Sequence, residues 1–493
     1  MFKYITSLFL ILAASFIGRA ETLTVAPGQL SELIKNAATV TELTLAGEIN
    51  AADLQYIDTE LTALNTLDLS DAHIVASQGK RIGIATNFND KTIPENTFAG
   101  ARFTSVILPS EAGLKIGAGA FAGSRLTSIV IPATVAAVAE GTFTGCTALK
   151  SASIGASELG AAAFSGCTAL QSVTISGATT LPERVFMGCT ALTKINGTDR
   201  MTAIGARAFS GCKSLKDIAF GKSLMSIGEA AFEGSGLLSA DLSEARSLES
   251  VGAWAFANMD ALETLDLGGI SSMGEGVAFK CPSLTELTVR NIARIPAYAY
   301  AKDDALDSIG ILPESVTEIG AYALSDMTSI SEFTIPAGVE YIGEHAMQRM
   351  TSLSQIRVLA SDVPALGDDV WAGVDQPNVR VFVPDQAVSL YQATPQWQDF
   401  QVNGFSSVSD VIADGDRIAG LRARFVGNEL QVSIDGVEIE TLAIYTVGGT
   451  LLVYLEPSDG FASIDTSDFS DNLYIVSATL ADGRGASAKV MRQ

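Results

Sequence analysis

The chain has 493 residues, 47% hydrophobic and 17% charged, which is enough apolar material for a large buried core and excludes a disordered polar chain. Its formal net charge is −24 and it contains no run of Lys or Arg. That excludes the phosphate neutralisation on which nucleic-acid affinity rests, and it disfavours anionic membrane surfaces.

The chain opens with "MFKYITSLFLILAASFIGRAET". Lys3 supplies a positive start, Ile5 to Ile17 form an apolar stretch of 13 residues, and Gly18 and Ala20 put small residues at the −3 and −1 positions of a cleavage site. Residues 1–20 therefore read as a signal peptide, too short to span a bilayer. The first Cys is Cys146, so no lipid anchor directly after the cut is expected, and no later stretch reaches 18 consecutive apolar residues. The mature chain is expected to be secreted and associated with the cell surface, not embedded in a membrane.

From Phe98 onward one phrase recurs: I-G-x-x-A-F-x-G-C-x-x-L-x-x-I-x-I. Its large anchor is Phe98, Phe121, Phe143, Phe164, Phe186, Phe209, Phe232, Phe256, Phe279, Tyr300, Leu324, Met347 and Trp371, at spacings of 21 to 24 residues. A fixed period of this length marks a stacked repeat architecture. The second half of each repeat alternates at period two, as in Leu170, Val173, Ile175 and Leu215, Ile218, Phe220, so it predicts a short strand with one buried face. In the first half, small residues allow a tight turn, the aromatic fills the interior, and the Gly of "SGC" or "TGC" turns the chain. A single repeat has nothing to cover its apolar face, so the units must stack into a solenoid. Thirteen strands predict one parallel sheet about 60 Å long.

Phrase, period and copy number resemble the BspA-like leucine-rich repeat proteins exported by bacteria, over roughly residues 40–403. The resemblance implies an α/β (β-rich) leucine-rich repeat solenoid with a parallel concave sheet over residues 98–403. It also implies a surface-exposed protein acting in adhesion. "VTELTLAGEINAADLQYI" and "LNTLDLSDAHI" look like opening segments, which makes residues 21–97 an N-terminal capping region, and Asn378 to Gly404 looks like the closing segment.

Cys146, Cys167, Cys189 and Cys212 each lie three residues after their Phe, and Cys281 lies two after Phe279. They read as an interior column in which Cys acts as a small hydrophobe. Neighbouring Cys fall near a bridgeable separation, although an odd number leaves one unpaired. Zinc is not expected, because no C-x-x-C occurs and His is scarce. Lys213, Lys216 and Asp217 read as solvated surface.

After Gly404 the repeat stops. Residues 404–421, with "SSVSDVIADGDRIAG", read as a polar linker. Residues 422–493 then alternate as short strands separated by Gly427-Asn428, Gly448-Gly449 and Asp482-Gly483, which predicts a small antiparallel β-sandwich. "LAIYTVGGTLL", "DNLYIVSATLADG" and "AKVMR" resemble the C-terminal sorting domains of the type IX secretion pathway. Thr446, Gly449-Thr450 and Asn472-Leu473 depart from that pattern, so a working sorting signal and a plain accessory domain both stay open.

Catalytic motifs are missing: no G-x-S-x-G, H-E-x-x-H or P-loop occurs, and the two His, His73 and His345, are far apart. "DGDRIAG" lacks the spacing of an EF-hand. Asp303-Asp304 and Asp368-Asp369 are adjacent at turns and do not face each other across a cleft. No enzyme activity, cofactor or metal is expected, which leaves binding. The outward strand positions include Thr174, Asn196, Asp241, Glu263, Asp266, Glu286, Thr288, Glu332, Thr334 and Arg357, mostly small or acidic. A face of roughly 700 Å² would match one side of a standard protein interface. A protein partner is the expectation. A carbohydrate-binding module is the alternative, with Trp254 on a turn as its candidate stacking ring and Trp371 assigned to the core.

Overall fold

The structure, a computed structural model, describes residues 21–76, 90–307, 312–405, 421–426, 429–433, 439–446, 451–455, 461–466, 473–480 and 485–491. Residues 1–20, expected as a signal peptide, nearly all of 404–421, expected as a linker, and the three turn dipeptides of the C-terminal region lie outside the described residues. The chain divides into two compact units, Met1–Gly268 and Gly269–Gln493.

Unit one opens with a parallel sheet of Glu21–Val25, Glu42–Ile49, Thr66–Ile74 and Ser105–Ile107. The helix Ala51–Glu60 follows the second strand and starts with a capping box. The Asn50 side chain accepts from the Ala52 N–H (2.9 Å), and the Asp53 carboxylate accepts from the Asn50 N–H (2.9 Å). Asp53 is buried and also accepts from the Gly28 and Leu30 N–H groups at 2.7 and 2.9 Å. One carboxylate thus fixes two chain segments to each other.

The repeats of unit one follow, with the chain laid down in two parallel ladders where the period predicted one. The first ladder comes from L-x-x-I-x-I: Ser128–Ile131, Ser151–Ile154, Ser172–Ile175 and Lys194–Asn196 pair in order, with Ile129, Ala152 and Val173 turned inward. The second comes from the residues just before the phrase Gly or the Pro182 that replaces it: Thr180–Leu181, Ala203–Ile204, Ser226–Ile227 and Ser250–Val251. Strands of two residues carry no readable alternation, so only their stacking reveals them.

Between the ladders each repeat makes its turn around the anchor. Arg207 (φ 54°) and Gly211 (φ 73°) are left-handed on either side of Phe209. This conformation aims the N–H groups of Arg207, Phe209 and Gly211 along the stack, where they donate to the carbonyls of Glu229, Ala231 and Glu233 at 2.8, 2.7 and 2.8 Å. The phrase Gly has a different duty. At Gly205 a Cβ would sit 2.6 Å from the backbone of Pro182, so Gly suits this close approach, although Pro94, Ala139, Pro182 and Pro296 hold the same slot in other repeats. The anchors stack in an unbroken column from Phe98 to Phe256, all fully buried, with neighbouring ring centroids 5.0–5.7 Å apart.

Unit two repeats the plan with mixed anchors. Tyr300, Leu324 and Met347 donate to Ala323, Ala346 and Val370 at 3.0, 2.8 and 3.1 Å. Phe279, expected as an anchor, is not one. Gly276, Ala278 and Lys280 make the three stacking donations, to Ala297, Ala299 and Ala301, so Ala278 holds the slot. "MGEGVA" is the six-residue phrase in correct phase, and Phe279 falls one residue late. Its ring is only half-buried, edge-on to Tyr298 at 6.3 Å with the Lys302 ammonium 5.6 Å above it. Counted from Ala278, Cys281 returns to the same three-residue offset as the other Cys.

The closing segment extends the ladder of Glu332–Ile335 and Gln355–Val358 with Arg380–Pro384 and Gln401–Phe405. The Gln396 amide braces the turn of the last repeat: its Oε1 accepts from the Val370 N–H (2.9 Å) and its Nε2 donates to the Gly367 carbonyl (2.8 Å), groups whose counterparts bond each other within earlier repeats, as the Ala346 N–H does to the Gly343 carbonyl (3.2 Å). Trp371, Trp397 and Phe400 seal the apolar end, with centroids 5.1–6.0 Å apart. Beyond residue 420, a three-stranded antiparallel sheet (Arg422–Val426, Glu429–Ser433, Phe461–Asp465) and a four-stranded one (Leu451–Leu455, Ile439–Thr446, Leu473–Leu480, Gly485–Met491) share a core. Leu430, Val432, Leu442, Ile444, Tyr474 and Val476 form its centre. The described chain is mostly β, with three short α-helices.

Candidate binding surface

Parallel pairing in exact repeat phase holds outward side chains in rows. In unit one, Val130, Ser153, Thr174 and Asn196 are register partners on successive strands, and the Asn196 amide donates to the Thr174 hydroxyl at 3.3 Å. Beside this row run Ser128, Ser151, Ser172 and Lys194. The surface is rich in hydroxyls but has an apolar end that composition did not suggest: Ile107 is 48% and Val130 64% exposed. "TSVI" and "TSIV" carry the signal, since an apolar residue stands at both strand parities there.

Asp241 and Asp266 are register partners on the strands Ser239–Asp241 and Thr264–Asp266. Like charges on adjacent strands are unfavourable. Each carboxylate offsets this by accepting from the backbone two residues on, Asp241 from the Ser243 N–H (2.9 Å) and Asp266 from the Gly268 N–H (2.7 Å). These Asp residues therefore shape the strand ends as well as charging the face. Glu263 is exposed but lies just before its strand, not at an outward strand position.

In unit two, Glu286 is exposed and Thr288 half-buried on Glu286–Thr288. Glu332 and Thr334 pair in register with Gln355 and Arg357, and the Gln355 amide donates to Glu332 at 3.3 Å. Arg380 lies over the Phe382 ring at 5.8 Å.

The Cys column is interior. None of the five Cys forms a disulfide and all are fully buried, and the thiols of Cys146, Cys167, Cys189 and Cys212 donate to the carbonyls of Phe121, Phe143, Phe164 and Phe186 at 3.1–3.2 Å. Burial pushes the Cys189 thiol up to about 12 and that of Cys212 well above its ordinary range, so neither is poised as a nucleophile. His345 is part of a turn: its ring lies tilted against Tyr322 at 5.0 Å, and Tyr322 stacks on Tyr298 at 4.9 Å. Sequence reasoning missed this aromatic run, although all three residues hold one phrase position. Tyr322 lies between two other rings, and Trp371 and Trp397 are buried, so these three present no open face to a sugar ring. Asp303 points inward while Asp304 is exposed, so that pair does not form a carboxylate dyad. Among the described residues no group of three or more metal-binding side chains converges, and no helix is long and apolar enough to cross a membrane.

Known solved structures include similar chains. A leucine-rich repeat protein from Bacteroides ovatus is 20% identical, covering 78% of this chain and 88% of its own, with a TM-score of 0.46. A leucine rich cell surface protein from Faecalibacterium prausnitzii is 22% identical over 50% of this chain and 82% of its own, with a TM-score of 0.31. A leucine-rich repeat protein from Eubacterium ventriosum is 16% identical over 65% and 85%, with a TM-score of 0.39. A search of curated proteins finds no match. The family model for the BspA type leucine rich repeat region matches in six copies, over residues 91–196, 179–307 and 277–375. With more than half of its residues inside that match, and with anchors, phrase glycines and strands recurring in the same phase, the chain belongs to the BspA type leucine-rich repeat family.

Proposed function

We propose that the chain is an exported, cell-surface protein whose repeats bind protein partners through their outward strand positions, without catalysis. One observation carries the reading: successive strands hold rows of outward side chains in register that the core does not use, among them Thr174 with Asn196 and Asp241 with Asp266. Family membership supports a surface location, and residues 1–20 support export. The organisation that goes with it is a cap over 21–97, a repeat array over 98–403, a linker over 404–421 and a sorting-type sandwich over 422–493. The acidic net charge favours a basic partner surface, with association that slows as salt rises.

Asp241→Asn, Glu263→Gln and Asp266→Asn together test this in unit one, and Glu286→Gln with Glu332→Gln tests it in unit two. The amides keep the accepting oxygen of Asp241 and Asp266, so charge changes while the strand ends stay formed. At low salt, attachment of the full chain to a panel of matrix and cell-surface proteins should slow roughly tenfold in at least one variant set. Circular dichroism should stay unchanged. Unaltered rates in both sets would remove the strand face as the site, and binding on a glycan array instead would make the partner a carbohydrate.

A further inference from the structure

Two fully buried aspartates occupy opposite environments. Asp53 accepts three backbone N–H bonds. Asp303 sits at the interior position that Cys fills in other repeats, three residues after the Tyr300 anchor. There its Oδ1 accepts from the Cys281 N–H at 2.7 Å, and its Oδ2 is buried with no hydrogen-bond partner. Cys281 precedes it in this column and Met327 follows, at the same offset from Leu324. An ionised carboxylate with one donor in such a setting is far more costly than a neutral acid.

We propose that Asp303 is a proton-binding site: the native array holds it as the neutral acid, and the array loosens when this carboxyl is forced to ionise. The groups facing it are the Cys281 N–H, the buried Tyr300 phenol and the Asp304 carboxylate. Burial pushes the Asp303 carboxyl well above the usual carboxylate range. The Cys281 hydrogen bond opposes this shift and the Asp304 charge adds to it. In the unfolded chain the same carboxyl ionises near pH 4. Between these two values the native state holds a proton that the unfolded state has lost. The stabilisation is therefore complete below about pH 4 and drains away as pH rises toward the raised native value.

Urea unfolding of the full chain between pH 5 and 9, with Asp303→Asn alongside, reads this directly. The many surface carboxylates act equally in both proteins, so the ratio of their unfolding constants isolates Asp303. That ratio, parent over variant, should rise about tenfold per pH unit until the native carboxyl itself ionises. Asp303→Cys, which restores the column's own residue, should behave like the Asn variant. If neither variant folds well, infrared spectroscopy of the parent at pH 7 still decides, because a protonated buried carboxylic acid gives a carbonyl band that ionised surface acids lack. A ratio constant across pH, or no protonated-acid band in the parent, would overturn the proposal.

Discussion

Phe209→Ala should lower the stability of the array by about 3–5 kcal/mol, the cost of emptying a large buried side chain whose site cannot collapse. Collapse is blocked on two sides. The Phe209 ring is stacked between Phe186 at 5.7 Å and Phe232 at 5.3 Å, and those rings are held by their own repeats. The backbone around the cavity is also pinned by the three stacking hydrogen bonds of Arg207, Phe209 and Gly211. In a stacked array each repeat is stabilised chiefly by its neighbours, so the loss should be shared with the adjoining repeats. Urea unfolding followed by circular dichroism measures the loss, and amide exchange should report weakened protection on both sides of residue 209. A loss under about 1 kcal/mol would mean that the ring column is not what holds successive repeats together.

Asp53→Ala should cost a similar amount, about 3–5 kcal/mol, by a different route. It leaves the N–H groups of Gly28, Leu30 and Asn50 without their acceptor, the Leu30 bond fully buried and the other two partly so. The damage should be local: the segment around Leu30–Leu33 should detach from the helix Ala51–Glu60 and become sensitive to proteolysis, while the later repeats stay folded. Asp53→Asn retains one accepting oxygen and should cost less. Limited proteolysis with mass mapping separates the two variants. Equal protection of residues 25–60 in the parent and Asp53→Ala would show that the carboxylate is not the tie.

Much of this architecture was legible because the repeat reports itself many times. The anchors, the left-handed Gly at Gly145, Gly166, Gly188 and Gly211, and the buried Cys column all follow from one phrase read in register. What stayed hidden has physical causes. The second left-handed position of the turns stayed hidden because its residue type varies: Gly119, Gly141 and Gly276 suit it, but Arg207, Tyr298, Tyr322 and His345 give no hint of positive φ, and the stacking bonds and, at the last three, ring contacts hold them there. Ala278 was passed over because a nearby Phe279 is the stronger hydrophobic signal, although phase along the chain, not size, sets the slot. The local bonds of Asp241 and Asp266 depend on strand-end geometry that composition cannot show. On the candidate surface, outward positions such as Thr174 and Glu332 could be read from alternation, whereas Ile107 and Val130 could not, because alternation fails where both parities are apolar.

The most direct test of the account is where a bound partner shields the chain. Hydrogen–deuterium exchange of the full protein should be compared alone and with whichever matrix or cell-surface protein retains it in the attachment panel. The account predicts slowed exchange at the strands that carry the outward rows, such as Ser128–Ile131, Ser172–Ile175 and Thr264–Asp266 in unit one or Glu286–Thr288 and Glu332–Ile335 in unit two. Protection confined to the anchor turns, or to the strands beyond residue 420, would contradict it.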